Sequence, residues 1–221
     1  MARLQAVLFD VDGTLLDTRD AWVAAFDAGL AAVGSRAMRG VEGARWIGTP
    51  IETIYAERCG LSGEPLRRAV AAFQASEAGS VEKGVRAFPG IPALLASLGA
   101  WRLGAITNKR HDTTLRALGL AHLEDRFAVV LGGDSVARKK PAPDPVIQAA
   151  RQLGLDPAAC AVVGDTEIDV RAGREAGAVT IGVTWGYGTR ARLEEANVGY
   201  LVETPAALPP LLRALTPSTG T

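Results

Sequence analysis

Cysteine and histidine are scarce in this sequence. Its 221 residues include two cysteines, Cys59 and Cys160, and two histidines, and they form no CxxC motif. Two cysteines so far apart in sequence are more often small buried apolar side chains than a disulfide, a nucleophile or zinc ligands. We therefore expect two free thiols and no zinc site.

The sequence also lacks an excess of one charge and any long apolar run. Lysine plus arginine and aspartate plus glutamate both total 24, so the formal net charge is zero. General binding to nucleic acid or to an anionic membrane needs a basic surplus, and a membrane span needs about 20 consecutive apolar residues. The first residues do not form the apolar segment of a signal peptide. We expect a cytoplasmic protein that binds neither nucleic acid nor membranes.

Lysine is much rarer than arginine. The 24 basic residues include only four lysines, namely Lys83, Lys109, Lys139 and Lys140. Lysine and arginine are not interchangeable where a compact, mobile charge is needed. The few lysines are therefore candidates for specific roles.

The most informative segment is the first predicted strand and the residues that follow it. The apolar run at residues 6–9 predicts a strand that is buried on both faces, and it leads directly into Asp10 and Asp12. Residues at this spacing share a face of an extended chain, so two carboxylates converge at the strand end. Such a pair is costly unless a cation or a proton lies between the two groups. Taken alone, the segment fits a strand followed by an Asp-Gly turn equally well.

Residues 17–80 have a helical pattern and no convincing strand. Apolar residues recur at helical spacing in three segments, at about 17–34, 49–60 and 64–79. This pattern predicts a small helical bundle that is inserted after the first strand.

From Phe88 onward, predicted strands and helices alternate along the chain. The strands are expected at about 103–106, 128–131, 161–163, 180–183 and 200–202. Alternation with short loops predicts βαβ units and an α/β fold, in which helices cover both faces of a parallel sheet. We expect only the proline-rich tail after Thr204 to be loosely ordered.

Polar residues follow the predicted strands at the points where these strands end. The second strand leads into Thr107 and Asn108, the third towards Lys140, and the fourth into Asp165 and Asp169. Each segment alone could be a helix cap, a solvated basic loop or a tight turn. Ligands bind at the carboxyl ends of the strands in open α/β sheets, so together the segments predict one site.

Carboxylates, a hydroxyl group and a lysine at one sheet edge are typical of phosphoryl transfer. Several carboxylates bind Mg²⁺, a hard cation that prefers oxygen ligands. The metal and a lysine neutralise charge on the transferring group, while hydroxyl and main-chain N–H donors hold its oxygens. A carboxylate can also attack phosphorus and form an acyl phosphate that water later hydrolyses.

At these positions the sequence resembles the haloacid dehalogenase superfamily, in the order and spacing of all four of its motifs and over nearly the whole chain. Asp10-Val-Asp12-Gly-Thr14 matches the first motif. This match implies that Asp10 is the nucleophile and that Asp12 is the general acid/base, which protonates the leaving group and then activates water. Thr107 matches the second motif, which implies that Thr107 and the main chain of Asn108 bind the phosphoryl group.

The third and fourth motifs are matched in the C-terminal half of the chain. Lys140, directly before Pro141, matches the lysine of the third motif better than Lys139 does. By the fourth motif, Asp165 would bind Mg²⁺, and Asp169 would either bind it through water or support the ligands. The resemblance implies Mg²⁺ as cofactor, with four candidate ligands: Asp10, Asp12, Asp165 and Asp169.

The resemblance also implies a fold, namely a Rossmann-like α/β core with a small helical cap inserted after the first strand. The core would comprise residues 1–16 and 81–221, and the cap residues 17–80. Such caps close over the site and select the substrate. Arg45 is our first candidate for a substrate contact in the cap, because a guanidinium suits a carboxylate or a second phosphate. The alternative is an arginine on a solvated helix face.

Three segments, at 88–90, 140–144 and 185–188, look most like phosphoglycolate phosphatase-type members. The leading prediction is a Mg²⁺-dependent phosphatase, a monomer or homodimer, that hydrolyses a small phosphorylated metabolite such as 2-phosphoglycolate. Asp12 argues against a haloacid dehalogenase, which has no leaving alcohol to protonate. The lack of lysine in the cap argues against a phosphonoacetaldehyde hydrolase. The open alternatives are β-phosphoglucomutase-like transfer, a pyrophosphatase, a nucleotidase or, in a different class, a non-catalytic phospholigand-binding protein.

Overall fold

The computed structural model describes residues 3–80 and 85–216. Its strands are β1 (Ala6–Phe9), β2 (Leu16–Asp17), β3 (Arg86–Ala87), β4 (Arg102–Ile106), β5 (Val129–Leu131), β6 (Cys160–Gly164), β7 (Val179–Val183) and β8 (Tyr200–Val202). Six of them form a parallel sheet in the order β5-β4-β1-β6-β7-β8. The predicted α/β fold with a parallel sheet is confirmed.

The helices are α1 (Arg19–Ala31), α2 (Gly40–Gly43), α3 (Ile51–Glu57), α4 (Gly63–Ser80), α5 (Ile91–Ser97), α6 (His111–Leu120), α7 (Asp144–Gln152), α8 (Glu167–Glu175), α9 (Arg190–Glu195) and α10 (Leu208–Ala214). No helix in the described ranges combines the length and the apolar character that crossing a membrane requires.

Strand β1 lies in the middle of the sheet and is buried on both faces. Val7 and Phe9 pack into an apolar cluster with α5, α6 and α10, whereas Ala6 and Leu8 pack into a second cluster with α7 and α8. Successive side chains of a strand point to opposite faces, so this short apolar run supplies both layers of the core. Its hydrogen-bonded neighbours are β4 and β6. Any residue just beyond β1 therefore lies between the ends of two other strands.

Helices α1, α3 and α4 pack around their own aromatic cluster. Trp22 stacks on Phe26 with ring centroids 5.0 Å apart, and Phe26 stacks on Tyr55 at the same distance. The Tyr55 hydroxyl, which is buried, donates a hydrogen bond of 2.9 Å to the carbonyl of Phe26. The helices expected between residues 17 and 80 are thus present, and they have a separate core. The division of the chain into a cap and a core domain stays a prediction.

Two features of the fold differ from the expectations. Leu16–Asp17 and Arg86–Ala87 form a short antiparallel pair where the helical segment leaves and rejoins the sheet, and two-residue strands leave no periodicity to detect. The expectation of a loosely ordered tail after Thr204 is wrong as far as residue 216, because α10 buries Leu208 and Leu212 completely. Its prolines lie in the first helical turn, where the missing N–H is not needed. Residues 217–221 lie outside the described ranges, as does Lys83.

Both cysteines are free thiols, as expected. Cys160 is buried in the sheet and Cys59 is half-buried among the helices. Burial raises the pKa of the Cys160 thiol to about 11, so this group is a weak nucleophile at neutral pH.

Candidate active site

The site lies where parallel strands β1, β4 and β6 end side by side. Asp10 follows β1, Thr107 follows β4 and Asp165 follows β6, and all three side chains are buried. Gly13 then turns the chain with φ of +88°, a conformation that favours glycine. The turn also needs glycine because a Cβ at this position would overlap the carboxylate of Asp165. The strand ends that the sequence predicted to converge do converge.

Lys140 lies at the centre of the buried charges. Its Nζ is 2.7 Å from Oδ1 of Asp10 and 2.6 Å from Oδ1 of Asp169, and it donates a third hydrogen bond of 2.9 Å to the carbonyl of Ile106. All three ammonium donors are therefore used. Burial by itself would lower the pKa of Lys140, but Asp10 and Asp169 outweigh it and raise the pKa above its ordinary value. The side chain is held as an ammonium.

Asp10 is the carboxylate that is best placed to react. One of its oxygens, Oδ1, accepts the hydrogen bond from Lys140, while Oδ2 has no donor within the described ranges. Burial raises the pKa of Asp10 well above its usual value, Lys140 opposes this, and Asp169 and Asp165 raise it further. The ionised form of Asp10 adds a third negative charge to those of Asp165 and Asp169. A cation close to Asp10 would therefore stabilise this ionised form.

Asp165 is held by hydrogen bonds from neutral groups. Oδ1 accepts a hydrogen bond of 3.1 Å from the Thr14 hydroxyl, and Oδ2 accepts one of 2.7 Å from the main-chain N–H of Tyr187. Oδ2 also accepts a longer bond of 3.3 Å from the N–H of Gly188. No cationic side chain of the described residues pairs with Asp165. Burial, and then the charge of Asp169, raise the pKa of Asp165 to about 7.

These carboxylates form a group that fits a divalent cation. Asp10, Asp165 and Asp169 each offer one oxygen, and the three oxygens lie within 4.8 Å of one another. Asp10 and Asp169 share the ammonium of Lys140 and Asp165 has no cationic partner among the described residues, so the cluster carries an excess of negative charge when it is ionised. Hard oxygen ligands with surplus negative charge are what Mg²⁺ requires. Three of the four predicted ligands are therefore brought together.

The fourth predicted ligand, Asp12, has different neighbours. Its Oδ1 accepts a hydrogen bond of 2.7 Å from the Thr18 hydroxyl, and its Oδ2 is 3.1 Å from Nζ of Lys109. The carboxylate is not part of the three-oxygen group. Its role as a metal ligand stays a prediction that these side-chain contacts do not support, and its role as general acid/base also stays a prediction.

Lys109 connects the strand end to the helical segment. Its Nζ is 2.6 Å from Oε1 of Glu77, a residue of α4, and both side chains are almost completely buried. Burial would lower the pKa of Lys109, but Asp12 and Glu77 together raise it. Burial raises the pKa of Glu77, and the ammonium of Lys109 lowers it in turn. A buried chain of charges therefore runs from Asp12 through Lys109 to Glu77.

A small cavity lies between the strand ends and the helical segment. Its volume is about 50 Å³, which is several times the roughly 10–15 Å³ that one water molecule needs. The strand ends contribute Asp10, Asp12 and residues 107–110, the loop after β5 contributes Lys139, and the helical segment contributes Trp22, Gly48, Thr49, Ile51, Phe73, Gln74 and Glu77.

Thr107 and Asn108 line this cavity in different ways. The Thr107 hydroxyl oxygen accepts a hydrogen bond of 3.2 Å from the N–H of Lys109, so its proton is free for another acceptor. The Asn108 side chain donates to the carbonyls of Gly48 at 2.7 Å and Lys140 at 2.9 Å, which ties a loop of the helical segment to the strand ends. The main-chain N–H of Asn108 has no acceptor in the described ranges.

Arg45 lies away from the cavity. Its side chain is exposed, and its guanidinium carbon is 4.1 Å from the ring centroid of Trp46. This placement matches the alternative of an arginine on a solvated face. The nearby residues that do line the cavity are Gly48 and Thr49. Arg45 as a substrate contact stays a prediction without geometric support.

Sequence reasoning missed Glu77, and it noted Lys109 without assigning it a role. Glu77 continues the apolar stripe of Val70 and Phe73 on α4, so its spacing places a carboxylate on the buried face. That spacing was the available signal. The pairing of Glu77 with Lys109 had no signal in the sequence, because it depends on how α4 packs over the sheet.

The chain is similar to known proteins over most of its length. The sequence model of the family described as haloacid dehalogenase-like hydrolases matches residues 7–183. A phosphoglycolate phosphatase of Nitrosospira multiformis is 33% identical over 219 residues, which cover 96% of this chain and 94% of that protein. The probable phosphatase IndB of Dickeya dadantii is 35% identical over 209 residues, covering 90% and 89%. A solved haloacid dehalogenase-like hydrolase of Streptococcus pneumoniae has a TM-score of 0.85 at 26% identity, covering 95% and 99%.

Proposed function

The chain belongs to the haloacid dehalogenase-like hydrolases, and from this membership we propose that it is a Mg²⁺-dependent phosphatase that works through an aspartyl-phosphate intermediate. The membership confirms the resemblance predicted from the sequence. We propose a small phosphorylated metabolite as substrate, and 2-phosphoglycolate as the first compound to test. One observation carries the proposal: Asp10 and Asp12 line the same small cavity as Thr107 and Asn108.

Asp10 is proposed as the nucleophile. Its Oδ2 is free of hydrogen bonds from the described residues, whereas its Oδ1 is fixed by Lys140. Attack of Oδ2 on phosphorus forms an acyl phosphate and breaks the bond to the leaving oxygen. Lys140 remains beside the reacting carboxylate and offsets the charge that gathers there.

Asp12 is proposed to move the proton. In the first step it protonates the leaving oxygen, and in the second it takes a proton from the water that hydrolyses the acyl phosphate. Thr18 and Lys109 hold its two oxygens, and Asp12 lies two residues from the nucleophile on the same strand end. Two carboxylates with different neighbours can thus carry two different roles.

Thr107 and Asn108 are proposed to hold the phosphoryl oxygens. The Thr107 hydroxyl proton and the Asn108 main-chain N–H both lack acceptors within the described ranges, and both residues line the cavity. Donors that are already in place need no reorganisation when charge develops on the phosphoryl group.

The carboxylate group beside Lys140 is the proposed Mg²⁺ site. Asp10 and Asp165 would hold the ion, and Asp169 would either bind it as well or support it, since it is anchored by Thr166 and Lys140. When bound, the ion would neutralise negative charge on the transferring group. Asp165 is the strongest argument for the ion, because it is buried beside Asp10 and Asp169 without a cationic partner among the described residues.

The cationic part of the cavity lining supports an anionic substrate. Lys139 and Arg110 add positive charge to the lining. A phosphorylated small acid such as 2-phosphoglycolate, the substrate named for relatives at 33% identity, fits these properties. The cytoplasmic location and the monomeric or homodimeric state stay predictions.

The test is a phosphate-release assay over a panel of phosphorylated metabolites with and without Mg²⁺. We expect release from 2-phosphoglycolate, loss of release in EDTA and recovery when Mg²⁺ is restored. Asp10→Asn should abolish turnover, because an amide oxygen is a poor nucleophile at phosphorus. Asp125→Asn is the matched control, since Asp125 is an exposed carboxylate remote from the cavity.

Three outcomes would contradict the proposal. Substantial activity of Asp10→Asn would refute the nucleophile assignment, and unchanged activity in EDTA would refute the metal. A phosphate that is moved within a sugar phosphate, without release, would indicate a β-phosphoglucomutase-like enzyme instead.

A further inference from the structure

Tyr187 contacts Asp165 at the sheet edge and Thr18 at the start of the helical segment, although it does not line the cavity. It lies in the loop after β7, and its main-chain N–H donates a hydrogen bond of 2.7 Å to Oδ2 of Asp165. Its hydroxyl accepts a hydrogen bond of 2.6 Å from the N–H of Thr18 and donates one of 2.8 Å to Oδ1 of Asp17. One residue thus holds a proposed metal ligand through its backbone and the start of α1 through its side chain.

Thr18 passes this contact on to the proton-transfer carboxylate. It is buried, precedes the first residue of α1, and its hydroxyl donates the hydrogen bond of 2.7 Å to Oδ1 of Asp12. The hydrogen bond from its N–H to Tyr187 fixes the backbone that carries this hydroxyl. Without that anchor the main chain of Thr18 would keep only the hydrogen bond that its carbonyl accepts from the N–H of Trp22, and small displacements of a catalytic group are costly.

The ring of Tyr187 is held independently of its hydroxyl. Phe88 packs against it with ring centroids 6.2 Å apart, and the Arg19 guanidinium lies 5.2 Å from its centroid. The ring is half-buried, and besides Phe88 it packs against the aromatic cluster of helices α1, α3 and α4. Replacing the tyrosine by phenylalanine therefore removes the two hydroxyl contacts and leaves the packing in place.

We propose that Tyr187 is a positioning residue for proton transfer: its hydroxyl fixes Thr18, and Thr18 in turn holds Asp12 in line with the leaving oxygen. The inference rests on the proposed function, in which Asp12 protonates the leaving group. Tyr187 itself does not touch the substrate.

The inference predicts an effect that depends on the leaving group. An alkoxide leaving group, as in 2-phosphoglycolate, must be protonated as the bond to phosphorus breaks. The acetate that leaves acetyl phosphate is stable as an anion and needs no proton. Because kcat/KM reports the steps up to the first phosphoryl transfer, a defect in Asp12 positioning lowers it for the first substrate only.

The experiment compares kcat/KM of wild type and Tyr187→Phe on these two substrates. We expect a loss of about tenfold on 2-phosphoglycolate, a part of the roughly 10²–10⁴-fold that a general acid contributes. On acetyl phosphate we expect a change of less than about twofold. Tyr200→Phe is the matched control, because the Tyr200 hydroxyl forms no hydrogen bond with the described residues and lies on β8.

A second variant tests the route through Thr18. Thr18→Val keeps the shape of the side chain and removes its donor, so it should show the same selective loss. Adding Tyr187→Phe to Thr18→Val should then cost little more, because both changes interrupt one chain of contacts. Fully multiplicative losses would show that Tyr187 acts by another route and would overturn the inference.

Other results are equally decisive. An equal loss on both substrates would reduce Tyr187 to a structural role, and no loss on either would show that its hydroxyl is not needed. Both results overturn the inference and leave the phosphatase intact. A wild-type enzyme that releases phosphate from neither of these substrates nor from any other member of the metabolite panel would instead refute the proposed function.

Discussion

Lys140 and Lys109 are both buried and both lie between two carboxylates, but their partners come from different parts of the chain. Lys140 contacts Asp10, which follows β1, and Asp169, which lies in the first turn of α8 just after β6. Lys109 contacts Asp12 at a strand end and Glu77 on helix α4. The first lysine has all its partners on the sheet edge, whereas the second is satisfied only when α4 lies over that edge.

This difference distinguishes a buried lysine whose carboxylate partners lie at the sheet edge from one that also needs a carboxylate of the helical segment. A buried ammonium without partners would lose its proton, so each lysine depends on its carboxylates. For Lys140 these are supplied by the topology of the sheet. For Lys109 one of the two is supplied by docking of the helices. The pair of Lys109 and Glu77 therefore forms only in the closed arrangement, in which α4 lies over the strand end.

The largest expected effect in this comparison is that of Lys140→Met. The substitution leaves Asp10 and Asp169 without their shared counter-charge, and removing one partner of a buried ion pair costs about 3–5 kcal/mol. We expect kcat to fall by at least about 10²–10³-fold, because the group beside the transferring phosphate loses its charge. Phosphate release and thermal unfolding measure the two effects.

The control for this substitution is Arg138→Met, which removes an exposed cation two residues away. It should leave kcat unchanged. If Lys140→Met kept wild-type activity, the site would not need the charge of Lys140, and the proposed difference between Lys140 and Lys109 would be wrong.

The next largest effect is expected for Glu77→Gln. The amide keeps a hydrogen bond to Lys109 but loses the charge, so the free energy of unfolding should fall by about 1–3 kcal/mol. We expect kcat/KM for phosphate release to fall about tenfold, which corresponds to roughly 1.4 kcal/mol less stabilisation of the closed, reactive state. Steady-state kinetics and denaturant unfolding test both values.

Glu64→Gln on the same helix is the control, because Glu64 is exposed and pairs only with Arg67 among the described residues. It should change neither value measurably. Equal behaviour of the two glutamine variants would mean that the buried contact between Glu77 and Lys109 does not stabilise the closed site.

The residues at the sheet edge could be predicted from the sequence, because each of them directly follows a strand and all the strands of the sheet are parallel. Each apolar run ends in polar residues, and parallel strands point the same way, so Asp10, Thr107 and Asp165 had to meet. The apolar clusters follow from the same runs, since alternate residues face opposite layers.

The contacts above that edge could not be predicted in the same way. The pairing of Glu77 with Lys109 depends on how a helix packs against a strand end 32 residues away in sequence. The hydroxyl of Tyr187 meets Thr18 across 169 residues. Such contacts depend on the three-dimensional packing of side chains, and no periodicity in the sequence encodes them.

The smallest effect is expected for Glu52→Gln, which breaks a second link between the helical segment and the sheet. Nζ of Lys139 is 2.9 Å from Oε1 of Glu52, but these side chains are 29% and 42% exposed. An exposed pair contributes about 0–1 kcal/mol and is screened by salt. We expect kcat/KM to change by less than about twofold at low salt, and the difference from wild type to vanish as salt is added. A loss as large as that of Glu77→Gln would show that position between the two layers, rather than burial, decides which ion pairs hold the site closed.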